Sequence, residues 1–204
     1  KIRSPEAARH LAARMQSVGE RFGLVVRCLF TDGAQPVGRG IGPALEARDV
    51  LAVLRCEHDA PPDLRERAAD IAGVVLELGG VAAEGAGPRL ALETLDSGRA
   101  WERFVRICEA QGGLRTPPQA ACVAPLVATH GGRVVHVDNR RLSRLAKLAG
   151  APESPAAGLR LRVRLGDEVA RGQPLLELHA QTAAELAYAL DYARDAGDIV
   201  QVVA

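Results

Sequence analysis

The stretch TDGAQPVGRGIGPALEARD, Thr31 to Asp49, sets three glycines at alternate positions, Gly38, Gly40 and Gly42, between Pro36 and Pro43. Glycine takes the positive-φ conformations of sharp turns and lets backbone amides approach an anion at a helix start. The loop could therefore cradle a phosphate, offer oxygens to a cation, or only turn a strand into a helix. Its spacing matches neither the P-loop nor the dinucleotide fingerprint, and no lysine or acidic ribose partner stands where those motifs need one. On spacing alone the tight strand-to-helix connection is favoured. The helix that follows is expected to bury Ala47, Val50, Leu51 and Leu54. Asp49 then lies on the opposite face, where water can solvate it; the other reading has it meet loop carbonyls around a hard cation, which favours oxygen ligands.

Upstream of the loop, Ser4-Pro5-Glu6 reads as an N-cap followed by proline at the first helical position. Leu11, Met15, Val18 and Phe22 then mark one helical face, and Gly23 ends it. LVVRCLF, Leu24 to Phe30, is a continuous apolar run, which predicts a strand buried on both faces, as in parallel sheets. Downstream, a helix beyond Pro61-Pro62 takes Asp63 as its cap and the stripe Leu64, Ala68, Ile71, Val75 and Leu78, ending at Gly79-Gly80. A short helix over Leu90 to Leu95 leads to another carrying Trp101, Phe104, Val105 and Cys108 on one face. This half is helix-rich and strand-poor, as if most of its sheet were missing.

RTPPQ, Arg115 to Gln119, reads as a linker. Beyond it RVVHVD is a strand, and Leu142, Leu145, Ala146 and Ala149 make a short helix stripe. LRLRVRL, Leu159 to Leu165, alternates with period two, which predicts a half-buried antiparallel strand. Its arginines, Arg160, Arg162 and Arg164, share one face; such a row can bind an anion, but a solvated edge is the commoner outcome. GDEVARGQPLLELHA, Gly166 to Ala180, reads as turn, strand, turn, strand. Thr182 with Glu185 forms a capping box for a helix through Leu186 and Leu190, and IVQVV closes as a last strand. The second half reads as a compact α+β domain.

Composition narrows the function. The 204 residues carry 26 basic and 25 acidic side chains, a net charge of +1, so no electrostatic footprint for nucleic acid exists. No apolar run approaches membrane-span length, and a cytoplasmic setting is expected. Cys28, Cys56, Cys108 and Cys122 are widely spaced without a C-x-x-C pair, against both a zinc module and a disulfide framework. No serine or cysteine stands at a nucleophile spacing from any histidine. His179 alternates with Leu176 and Leu178 and so faces away from their core. The Gly166 to Ala180 hairpin is shaped like that of biotinyl and lipoyl carriers, but no lysine follows Lys147, so carrier function is rejected. The chain opens on Lys1 and is expected to be a piece of something longer.

Taken together, residues 31–54 (TDGAQPVGRGIGPALEARDVLAVL), 72–80 (AGVVLELGG), 95–113 (LDSGRAWERFVRICEAQGG), 132–152 (GRVVHVDNRRLSRLAKLAGAP) and 172–180 (GQPLLELHA) resemble the thymidine phosphorylase family. The likeness runs over nearly the whole chain and is greatest to the long branch, with bacterial thymidine phosphorylases and archaeal AMP phosphorylases. It implies the C-terminal part of a central phosphate-binding α/β domain followed by a hammerhead-like α+β C-terminal domain. It implies phosphorolysis of thymidine, with AMP as the alternative substrate, inorganic phosphate as co-substrate and no organic cofactor. The family's phosphate and base motifs do not occur in this chain, so no catalytic residue is carried over and the chain alone is expected to be inactive. In some members a monovalent or other hard cation sits beside the phosphate loop; the matching positions are Val37, Gly40 and Asp49, the last usually glutamate in the family. The implied partners are a small nucleoside or nucleotide and phosphate, within a homo-oligomer. A reading of another class is a non-catalytic assembly or interaction module.

Overall fold

A computed structural model describes residues 2, 4–197 and 199–204. Its contacts divide the chain into two compact units: one holds residues up to Asp32 together with Arg67–Thr94, the other Gly33–Glu66 together with Leu95–Ala204.

In the first unit, helix α1 spans Pro5–Arg21, with Ser4 capping it by accepting a hydrogen bond from the Ala7 amide. The expected stripe is not its buried face. Leu11, Met15, Val18 and Phe22 are exposed, Phe22 to 76%, and burial falls instead on Ala12 and Gly19. The Leu24–Phe30 run forms no strand either; Val25 is 78% exposed. An apolar run becomes a buried strand only when neighbouring strands take its amides and carbonyls, and no such strand lies beside it among the described residues. Helix α3, Pro62–Leu78, repeats the pattern: Ile71, Val75 and Leu78 are exposed while Ala69 and Gly73 are buried.

The second unit contains two open sheets, and every strand pairing in them is antiparallel. One runs β1-β4-β6-β2, from Gly40–Ile41, Gly158–Leu161, Pro174–Ala180 and Cys122–Val127; the other runs β5-β3-β7, from Glu168–Val169, Gly132–Val137 and Val200–Val203. Helix α6, Asn139–Leu148, packs on β4, and helix α7, Ala183–Asp195, packs on β6, β2 and α6. The mixed helix-and-sheet class read from the sequence is what the chain adopts.

Side-chain alternation explains the core. Leu159, Leu161 and Val163 point inward, as do Leu176 and Leu178 across the ladder, and they meet Leu142 and Leu145 of α6. All four residues of the stripe predicted for α6 are buried. Each fully buried leucine contributes about 1.5–3 kcal/mol, so this cluster dominates the unit's stability. Asp138 caps α6 by accepting from the Arg140 and Arg141 amides, and the Arg141 bond chiefly holds its carboxyl below the ordinary value. Thr182 and Glu185 complete the capping box of α7. Helices α2 (Pro43–Leu54), α4 (Gly87–Asp96) and α5 (Arg99–Ala110) complete the chain. In α2 the buried residues are Ala44, Leu45, Leu51 and Val53, of which only Leu51 was expected, and the helix packs against β1 and β4.

Candidate functional site

The glycine loop of residues 36–42 is locked from inside. Asp49 Oδ2 accepts the amides of Arg39 and Gly40 at 2.6 and 2.7 Å, and Asp63 Oδ2 accepts the Gly38 amide at 3.1 Å. Glu46 Oε1 accepts the Gly42 amide at 2.9 Å. Four amides that could have cradled a phosphate are thus occupied by the protein's own carboxylates. On the carbonyl side, the Arg164 guanidinium donates to Pro36 and Gly38 at 2.7 Å each and to Asp63 Oδ2 at 2.8 Å. Gly38 and Gly42 take positive φ, 76° and 125°, the turn-making role the spacing favoured. So the loop is a self-satisfied turn rather than an open anion cradle.

This arrangement corrects three expectations. Asp49 is half-buried and bonded to the loop, not a solvated residue on a free helix face. The arginine row is not a solvated edge, because β4 lies between β1 and β6. Arg164 clamps the loop, Arg162 makes a two-oxygen contact with Glu177 at 2.7 and 2.8 Å, and Arg160 faces a cavity. Asp63, read as a helix cap, serves the loop instead.

Val37, Gly40 and Asp49 do line one cavity, of about 380 Å³, together with Glu46, Asn139 and Ser143. Asn139 donates through Nδ2 to the Gly33 carbonyl at 2.8 Å, and its Oδ1 is buried without a partner. Backbone carbonyls, a carboxylate and an amide oxygen are the donor set of a hard cation. The fit has one constraint: Asp49 Oδ2 already accepts two amides, so Asp49 has Oδ1 to offer. No cluster of three or more His, Cys, Asp or Glu side chains able to hold a metal occurs among the described residues.

A second cavity, of about 490 Å³, opens where α2, the 114–119 linker, β4 and β6 meet. Arg48 reaches it from α2, Arg55 from that helix's C-cap, Arg115 from the linker, Arg160 from β4 and His179 from β6. As its alternation predicts, His179 turns away from the leucine core, yet its side chain is only 13% exposed. Burial pushes its imidazole below the ordinary value; Glu177 pulls the other way, and Arg48, Arg160 and Arg162 add to the depression. Glu177 Oε2 lies 3.9 Å from Nε2, too far for a hydrogen bond, and Nε2 is buried with no partner. Sequence reading missed this grouping because its members come from four elements far apart in the chain. The alternate arginines of LRLRVRL were the one signal pointing to it.

The mixed helix-and-sheet fold agrees with what comparison with known proteins finds. Residues 133–200 match the family profile described as the pyrimidine nucleoside phosphorylase C-terminal domain. Over 202 residues, 99% of its length, the chain is 71% identical to a protein of Parvibaculum lavamentivorans named "Putative thymidine phosphorylase". Proteins of the same name from Tolumonas auensis and a Chelativorans species are 70% and 66% identical over 99% and 100% of the chain. The resemblance read from the five sequence blocks is thereby borne out. The chain spans 40% of the length of each of these relatives. No helix among the described residues is long and apolar enough to cross a membrane.

Proposed function

We propose that the protein carrying this chain is a pentosyltransferase that cleaves thymidine with inorganic phosphate, releasing thymine and 2-deoxyribose 1-phosphate. The observation that carries this reading is the 71% identity to a protein named "Putative thymidine phosphorylase". Within it, residues 1–115 act as the C-terminal part of the phosphate-binding α/β domain and residues 116–204 as the α+β C-terminal domain. The carboxylate-locked loop is a rigid support beside the phosphate site rather than the cradle itself. Its Val37 and Gly40 carbonyls and Asp49 Oδ1 hold a hard, monovalent cation, which stiffens the loop further. The protein works in the cytoplasm as a homo-oligomer on small nucleosides, and the chain alone turns over no substrate.

The test is to incubate the intact protein with phosphate and either thymidine or AMP and to follow free base. Thymine release is expected. Adenine release alone moves the protein to AMP phosphorolysis, and release of neither by folded protein favours a non-catalytic assembly module. For the cation, activity is expected to rise on adding potassium to cation-free protein and to lose that response in Asp49→Asn. An unchanged response in the variant removes Asp49 from the site.

A further inference from the structure

We infer that the cavity lined by Arg48, Arg115, Arg160 and His179 binds a phosphate group, either free or as the monoester of a small hydroxylated body. The inference stands apart from thymidine phosphorolysis, since it rests on charges and unsatisfied groups in this chain.

Consider first the charges. Three carboxylates line the cavity: Asp59 sits 3.9 Å from Arg39 and Glu57 sits 3.6 Å from Arg55, which leaves only Asp49, whose Oδ2 already accepts two loop amides, without a cationic partner among the described residues. Three guanidiniums have no such counterpart. Arg48 donates to the Pro118 carbonyl, a neutral group, and among the described residues Arg115 and Arg160 make no side-chain hydrogen bond or ion pair. Three positive groups in a partly enclosed space repel one another and outnumber the single carboxylate, Asp49, that no cation pairs. A phosphate relieves both, and the guanidinium fork matches its oxygens two at a time.

His179 adds direction. A buried ring nitrogen with no partner carries a desolvation cost that a ligand can remove. Burial first, and then Arg48, Arg160 and Arg162, hold its imidazole below the ordinary value, and a neutral ring with its proton on Nε2 donates one hydrogen bond to an acceptor in the cavity. The acceptor must tolerate donors on every side, which an anion oxygen does. Size points to more than a bare ion: about 490 Å³ lies within the range of small-molecule sites. Thr116 and Gln119 in the wall offer neutral partners for hydroxyl groups.

The experiment titrates the chain with inorganic phosphate and, separately, with glycerol 3-phosphate. Binding is read from the ring-nitrogen NMR signal of His179 in chain labelled with 15N-histidine, assigned by its loss in His179→Gln. A saturable shift is expected, weakened about tenfold or more in Arg160→Gln. Arg115→Gln, on the linker and away from the sheet, is expected to weaken it in the same direction and serves if Arg160→Gln lowers the melting midpoint. Tighter binding of the monoester identifies an esterified ligand, and equal or tighter binding of inorganic phosphate identifies the free ion. No saturable shift of His179, or equal affinities in the wild type and the folded variants, overturns the proposal.

Discussion

Two regions of the molecule treat their apolar residues in opposite ways. In the sheets and helices of residues 122–203, Leu142, Leu145, Leu159, Leu176 and Leu178 are completely buried. Along α1 and the run that follows it, Met15, Val18, Phe22, Leu24 and Val25 are 55–78% exposed. Both regions carry clear periodic patterns. A pattern decides which residues share a face; burial requires a second face to meet it. The α6 stripe has β4 and α7 against it, whereas the α1 stripe has no such partner among the described residues. Exposed apolar residues gathered on one face mark a surface that could meet a partner.

The largest test of that contrast separates the two regions. Every buried member of the main core lies between Ala128 and Val200, so a chain of residues 116–204 is expected to unfold in one cooperative transition. Residues 1–115 alone are expected to show a broad, weakly cooperative melt. Broad melting of the 116–204 chain by calorimetry would break the comparison, because it would make the core dependent on the exposed half.

Single substitutions sharpen it. Leu176→Ala removes a fully buried side chain from the centre of the β6 ladder and is expected to cost about 2–5 kcal/mol in denaturant unfolding. Val25→Ala, at a 78% exposed position, should stay within about 0.5 kcal/mol. Similar costs at the two positions would mean that exposure does not report the packing that matters.

The loop gives a smaller, intermediate effect. Asp49→Ala strands the Arg39 and Gly40 amides in a half-buried turn, at about 1–3 kcal/mol. Amide hydrogen exchange is the sharper readout: Arg39 and Gly40 are expected to lose protection in the variant, while Leu159 and Leu176 keep theirs. Loss of protection throughout the sheet would show the loop to be part of the core and erase the distinction between them.

How much of this was legible in the chain follows the same division. The α6 stripe, the Thr182–Glu185 capping box and the inward alternation of Leu159, Leu161 and Val163 were readable because neighbours in sequence decide them. The buried strand expected at Leu24–Phe30 failed because pairing partners, not the run's own residues, make a strand. The phase of α2 and the task of Asp63 failed because contacts many residues away set them: Arg164 joins Asp63 across 101 positions. The loop motif identified a family resemblance correctly, yet its amides meet carboxylates that spacing could not place. The arginine-lined cavity was legible only as a row of arginines, since His179 and Arg48 come to it from other elements.

The smallest effect concerns His179, and its sign follows from its surroundings. Burial and the nearby Arg48, Arg160 and Arg162 hold its folded-state pKa below the ordinary 6.5, while Glu177 opposes them. The unfolded chain therefore takes up a proton first as pH falls. Stability from this group is fully present above pH 6.5 and is lost as pH drops toward the lower folded value. Because the other histidines and the carboxylates also titrate, the observable is a difference: the wild type should lose more stability than His179→Gln between neutral pH and about pH 5.5. Phosphate in the cavity should narrow that difference, since an anion beside the ring favours the imidazolium and raises its folded-state pKa. A difference that phosphate leaves unchanged would mean that no anion binds beside the ring.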